Sequence, residues 1–156
     1  DAMVKLSSHG WKLGFRFDPL IHGENWKYLY GDLIDRLFEN ISPNSIHSVS
    51  FGTLRFPKKM FKKMQKLRPQ EKAFVTLQAE GKNNVSYKEE LQLEMIEFCK
   101  SVMRNYVKSD ILFNLIKGVF PIRSDKLVFI ILTPQDNYAH WANIHLKLNN
   151  KSNRKL

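Results

Sequence analysis

Cysteine is nearly absent from this chain: Cys99 stands alone among 156 residues. No disulfide can therefore form within it, which excludes a sulfur-bridged secreted framework and fits a reducing compartment. Long apolar runs are missing too. No window approaches the roughly 18 consecutive apolar residues of a membrane-spanning helix, and residues 1–10 lack the apolar core of a signal peptide, so the sequence reads as cytoplasmic, with no membrane partner. The histidines at 9, 22, 47, 140 and 145 are scattered without the short spacing of a zinc site, so no metal ligands are expected. No glycine-rich phosphate loop, nucleophile elbow or paired-carboxylate motif occurs, so no residue is assigned a catalytic role. Acids are the scarce charge. Asp and Glu number 15 against 25 Lys and Arg, which gives a formal charge of +10 and an isoelectric point near 9.7. That imbalance favours a polyanionic partner without identifying one.

What the chain has is a strand, loop and helix unit from Trp11 to Phe38. Leu13, Phe15 and Phe17 fall on one side of a strand by two-residue alternation, and Asp18-Pro19 ends it. Trp26, Leu29, Tyr30, Leu33, Ile34, Leu37 and Phe38 then recur at the three-and-four spacing of a helix with one apolar stripe. A second strand over 45–53 follows, and the order strand, helix, strand favours parallel pairing. Ligands of such sheets sit beyond the carboxyl ends of the strands, which singles out Asp18, Thr53 and Arg55 as candidate cofactor- or substrate-binding residues. Asp18 has a plainer reading as well, as an acceptor of backbone N–H groups in the turn. Trp26, Tyr28 and Tyr30 offer aromatic surface, although the stripe claims Trp26 and Tyr30 for the core. The first residue is not methionine and the chain runs almost at once into a strand, which leads us to expect an upstream portion.

Residues 1–6 read as the end of a helix that stops at His9-Gly10. Pro57 suits the first turn of a further helix, on which Met60, Phe61, Met64 and Leu67 form an apolar side. Its other side is cationic. From Arg55 to Lys72 eight Lys or Arg face a single acid, Glu71. A solvated helix surface is the ordinary meaning of such a run; the strand-end Arg55 beside Lys58, Lys59, Lys62, Lys63 and Lys66 suggests instead a site for nucleic-acid phosphates. A hairpin is expected from strands over 73–77 and 85–87, followed by an amphipathic helix through Leu91, Met95, Phe98, Cys99, Val102, Met103 and Tyr106, where the thiol reads as a small core residue. Residues 111–116 form a candidate strand, and the apolar run 127–132 suits a strand covered on both faces. The organisation expected is one unit over 1–116 and a divergent tail over 117–156, polar and frayed beyond Pro134.

At Leu13-Gly14-Phe15-Arg16-Phe17-Asp18-Pro19-Leu20-Ile21, with Gly23, Trp26, Tyr30, Leu33, Leu37 and Phe38, the chain resembles the spore photoproduct lyase family of radical S-adenosylmethionine proteins. The likeness continues through Ser50-Phe51-Gly52-Thr53-Leu54-Arg55-Phe56-Pro57 and, more weakly, through Gly81-Lys82 and Tyr87 to Tyr106. The resemblance implies an α/β fold, the C-terminal part of a partial TIM-like barrel with a hairpin and a long helix. It also implies a family role in DNA repair, on a thymine dimer photoproduct. The family's chemistry uses a four-iron, four-sulfur cluster held by three closely spaced cysteines together with S-adenosylmethionine. With Cys99 alone, no such cofactor is expected in this chain, which is read as lacking the cluster-binding half and as inactive alone. The partners implied are DNA and the missing N-terminal half of the barrel, whose absence would leave the first strand with an open edge prone to association. A basic nucleic-acid-binding module without catalysis is the alternative.

Overall fold

The structure, a computed structural model, describes residues 2–71, 74–115 and 127–132. A short helix, α1 (Ala2–Ser8), stops at Gly10, whose φ of 79° is a left-handed conformation open to glycine. Strand β1 (Lys12–Leu20) follows, then α2 (Trp26–Asn40), β2 (Ile46–Thr53), β3 (Arg55–Pro57), α3 (Lys58–Leu67), β4 (Leu77–Glu80), β5 (Asn84–Tyr87), α4 (Glu89–Met103), β6 (Leu112–Asn114) and β7 (Leu127–Ile131).

β1 and β2 lie side by side and parallel, with Phe15 opposite Val49 and Phe17 opposite Phe51. The two-residue alternation gives this pair two unlike faces. Leu13, Phe15, Phe17, Val49 and Phe51 are fully buried on one, with the rings of Phe17 and Phe51 stacked at 5.4 Å. Gly14, Arg16 and Asp18 point the other way, beside Ser48, Ser50 and Gly52. Helix α2 covers the apolar face because its stripe, Trp26, Tyr30, Ile34 and Leu37, repeats every three to four residues and is buried throughout. It ends where Ile41 turns extended ahead of Ser42-Pro43.

Helix α4 packs beside α2 on β2, burying Met95, Ile96, Cys99 and Met103. Aromatic contacts fasten the two helices at both ends: Trp26 meets Phe98 edge-on at 5.2 Å, and Phe38 stacks on Tyr106 at 4.4 Å. The Tyr106 hydroxyl donates to Asp35 at 2.8 Å, and that bond is the main reason its pKa is raised. Burial pushes the Cys99 thiol up to about 12 from an ordinary 9.0. The thiolate fraction near neutrality is then about a thousandfold smaller than that of a free thiol. Ellman's reagent is expected to label Cys99 at least about a hundredfold more slowly in the native protein than in denaturant; equal rates would mean that α4 does not pack as described.

The four-stranded sheet has the order β6, β2, β1, β7, parallel throughout, and a separate antiparallel sheet has the order β3, β5, β4. This is a mixed α/β architecture. Among the described residues no helix is long and apolar enough to cross a membrane.

Four local expectations are corrected. The first hairpin strand begins at Leu77, because Phe74 lies in a helical turn and packs edge-on against Phe61 and Phe56 at 5.3 and 6.5 Å. Residues 109–111 form another helical turn, which shortens the strand expected over 111–116 to β6. Among the described residues the apolar run at 127–132 lies at the edge of its sheet, and its two sides differ: Ile130 packs on the core while Ile131 is 66% exposed, unlike a strand covered on both faces. Strand β7 also fills the edge of β1 that was expected to be open, pairing from Lys12 to Arg16, and the Leu132 N–H donates to the Arg16 carbonyl at 2.8 Å. That edge is therefore not open to association with another strand. The polar tail beyond Pro134 lies outside the described residues.

Candidate functional site

The carboxyl ends of β1 and β2 open on a cavity of about 360 Å³ lined by Asp18, Thr53 and Arg55 together with Leu54, Phe56 and Met60. The three residues singled out from strand ends thus meet at one place. Their roles differ. Asp18 is held close to the Gly52 backbone and faces Arg16 across 3.6 Å, with both side chains partly exposed. Alternation had already put Arg16 and Asp18 on one face, so Arg16 is a neighbour that the spacing carried and the sequence reading did not use. Thr53 is buried and its hydroxyl donates to Gln92 Oε1 at 2.8 Å, so it shapes the wall and is not presented to the cavity as a donor. Arg55 is exposed on β3.

Gly52 is the residue that lets Asp18 sit there. A methyl group on it would lie 2.8 Å from Asp18 Oδ1 and 3.0 Å from Leu115 Cδ1, inside normal contact. Gly52→Ala is therefore expected to swing the carboxylate away from Arg16 at a cost of about 1 to 2 kcal/mol. In a double-mutant cycle, Asp18→Ala should recover most of that loss; additive losses would show that the crowding is with Leu115 instead.

Helix α3 buries Phe61 and Met64 and turns Lys59, Lys62, Lys63 and Lys66 to solvent. Lys58, expected among them, is engaged elsewhere. Its ammonium donates to the carbonyls of Gly81 and Lys82 at 2.9 Å each, and its N–H to the Asn83 carbonyl at 2.8 Å. These bonds draw the hairpin turn against the start of α3 and bring the exposed Lys82 to the basic side, a neighbour that no local pattern reveals. The charge arrangement on α3 opposes its own folding. Lys59 and Lys63, like Lys62 and Lys66, are one helical turn apart, and like charges at that spacing destabilise by a few tenths of a kcal/mol per pair. Lys58 and Lys59 also lie in the first turn, where the helix dipole disfavours cations and attracts anions. A surface needed only for solubility would intersperse acids; α3 has none. An anion bound there would relieve both penalties.

Of the aromatic trio, Trp26 is 7% exposed and Tyr30 fully buried, which leaves Tyr28, at 72%, as the one open to solvent.

No protein-family model matches the chain, and no curated protein sequence does. Solved structures do. A double mutant of spore photoproduct lyase with bound AdoMet and dinucleoside spore photoproduct matches with a TM-score of 0.55 at 17% identity. The enzyme complexed with dinucleoside spore photoproduct matches at 0.53 and 18%. Over that stretch the fold is shared. The match covers 72% of this chain but 35% of the lyase chain, so the chain spans about a third of the length of the proteins it is similar to.

The iron–sulfur cluster of the resembled family does not fit the donors present. In that family three closely spaced cysteines hold the cluster, and this chain has one, whose thiol is buried in the core on α4. Among the described residues, no three His, Cys, Asp or Glu side chains gather where they could hold a metal.

Proposed function

We propose that the chain is the strand-and-hairpin portion of a spore photoproduct lyase-like DNA-repair fold, a segment of a TIM-like barrel, and that it serves DNA binding and not catalysis. Its four parallel strands would continue a barrel whose cluster-holding half comes from other residues. The observation that carries this reading is the uncompensated cationic side of α3 beside the cavity at the ends of β1 and β2. It lies on a fold shared with structures that hold a dinucleoside photoproduct. Arg55, Lys59, Lys62, Lys63 and Lys66 contact phosphates, while Asp18 and the wall at Thr53 border the place where a base would come to rest.

A stand-alone basic module is the second reading, favoured by β7, which occupies the edge of β1 that an upstream strand would need. One experiment separates the two. Fluorescence anisotropy with a duplex containing a thymine photoproduct and with its undamaged twin is expected to show tighter binding to the damaged one. Equal affinities would leave only the basic module, and absence of salt-sensitive binding would end both. Reconstitution with iron and sulfide is expected to give no cluster absorbance; a stable four-iron cluster on this chain would overturn the assignment.

A further inference from the structure

A second and larger cavity, of about 540 Å³, shares no residue with the one at the ends of β1 and β2. Its lining takes Gln78, Ala79 and Glu80 from β4 and Glu89, Gln92 and Leu93 from α4. Consecutive strand residues send their side chains to alternate faces, so all three border one space only where it reaches the edge of the strand. Glu89, Gln92 and Leu93, spaced three and four apart, share one side of the helix. The cavity is therefore a groove with an edge strand on one bank and a helix on the other. Gln92 fixes its width: buried on α4, it donates to Glu80 Oε1 on β4 at 3.2 Å and to the Tyr87 carbonyl on β5 at 2.8 Å. The edge itself is open. β4 is the last strand of its sheet, paired antiparallel with β5 in unbroken register, and every second residue of such a strand points both its N–H and its C=O away from the partner. Among the described residues no strand and no loop backbone pairs with those groups, and Gln78 and Ala79 are exposed. Lys, Pro and bulges commonly blunt an edge strand. β3, at the other side of the same sheet, carries Arg55 and Pro57 and lies against α3; β4, Leu77–Glu80, has none of these guards.

We infer that β4 is a docking edge for an extended, basic peptide segment of another protein, which adds as a further strand beside Gln78 and Ala79 and lies against α4. Backbone hydrogen bonds to the open edge supply the attachment, and alternate side chains supply the selection. An apolar residue of the segment meets Leu93, which is 46% exposed on the helix bank. Its flanking Lys or Arg residues meet Glu80 and Glu89, neither of which takes part in an ion pair among the described residues. The groove has no Lys or Arg among the residues that line it, so an acidic segment would find only like charge. A second copy of the chain fits less well, because pairing β4 with β4 would crowd Glu80 and Glu89 of both copies along one seam.

Isothermal titration with three capped peptides tests this: Lys-Val-Lys-Val-Lys, the same sequence N-methylated at alternate amides, and Glu-Val-Glu-Val-Glu. The first is expected to bind and to slow hydrogen exchange at β4 amides that exchange freely in the chain alone. The N-methylated form keeps every charge and side chain but loses the donors of one edge, so it should bind at least about tenfold more weakly. The acidic peptide should not bind. Glu89→Gln should weaken the first peptide at least about threefold. The assignment is overturned if that peptide does not bind, if its N-methylated form binds as tightly, which would leave charge alone, if the acidic peptide matches it, or if Glu89→Gln leaves its affinity unchanged. It is overturned equally if every β4 amide is already protected in the chain alone, since the chain itself or a second copy would then fill the edge. The lysine face of α3 takes no part, so DNA binding and peptide binding fail separately.

Discussion

A chain carrying Lys59→Glu, Lys62→Glu, Lys63→Glu and Lys66→Glu together is expected to lose measurable duplex binding at physiological salt. Four exposed ammonium groups lie along one side of α3, and each one seated on a phosphate releases about 0.9 of a condensed counterion. With Arg55 as the fifth contact, the parent's log affinity should therefore fall against log salt with a slope of about −4 to −5, which amounts to roughly five hundredfold between about 50 and 200 mM salt. Reversing the four charges removes their attraction and adds repulsion, so the loss should exceed a hundredfold, with a residual slope no steeper than the roughly −1 that Arg55 alone would give. Folding should not suffer in proportion, because the substitutions remove like-charge neighbours and place carboxylates nearer the positive end of the helix dipole. Lys58 supplies the contrast. Its ammonium is already shared between two hairpin carbonyls, so Lys58→Met should lower the melting temperature and change the salt slope by much less than one unit. A slope that falls as much for Lys58→Met as for Lys62→Met would show that phosphates are not selecting the exposed row.

The parts of this molecule that local spacing encodes are the parts that could be read before any coordinates. Phe15, Phe17, Val49 and Phe51 alternate, so their shared face and parallel pairing follow from period alone. The stripe from Trp26 to Leu37 follows from helical period in the same way. The candidate residues Asp18, Thr53 and Arg55 came from a rule about strand ends, and all three line one cavity. What escaped depends on partners distant in sequence. Nothing near Lys58 says that its ammonium turns back to a hairpin more than twenty residues on, and nothing near residue 127 says that this apolar run will cross to the far side of β1 and become an edge. Apolar composition alone suggested a doubly covered strand, whereas no described element covers the side on which Ile131 stands, 66% exposed. Thr53 could be placed at a strand end but not assigned its role, because Gln92, the group that accepts its hydrogen bond, lies 39 residues away on another element.

That same Gln92 carries a large expected stability effect for a single polar residue. It is 4% exposed and joins three elements: β2 through the Thr53 hydroxyl, β5 through the Tyr87 carbonyl and β4 through Glu80. Replacing it with leucine keeps the volume and removes every partner. The Thr53 hydroxyl is then left buried without its acceptor and the Tyr87 carbonyl loses the Gln92 donor, so a total of roughly 2 to 4 kcal/mol is expected. For a chain of this size that corresponds to a fall in melting temperature of roughly 5 to 15 °C. Gln92→Glu should do no better, since a carboxylate can still accept from Thr53 but cannot donate to Tyr87, and it meets Glu80 as a like charge. The mechanism predicts its own partial repair. Thr53→Val in the Gln92→Leu background removes one orphan and should restore about 1 to 2 kcal/mol, although Thr53→Val alone destabilises the parent. The effect should also reach the loop after β1. Burial has pushed the Tyr87 phenol up to about 12, and its oxygen accepts the His22 N–H at 3.0 Å. Loosening the Tyr87 backbone therefore exposes the His22 amide, and hydrogen exchange there should quicken in Gln92→Leu and slow again in the double variant. Unchanged exchange at His22, with the melting point lowered all the same, would mean that Gln92 stabilises the hairpin without coupling it to the end of β1.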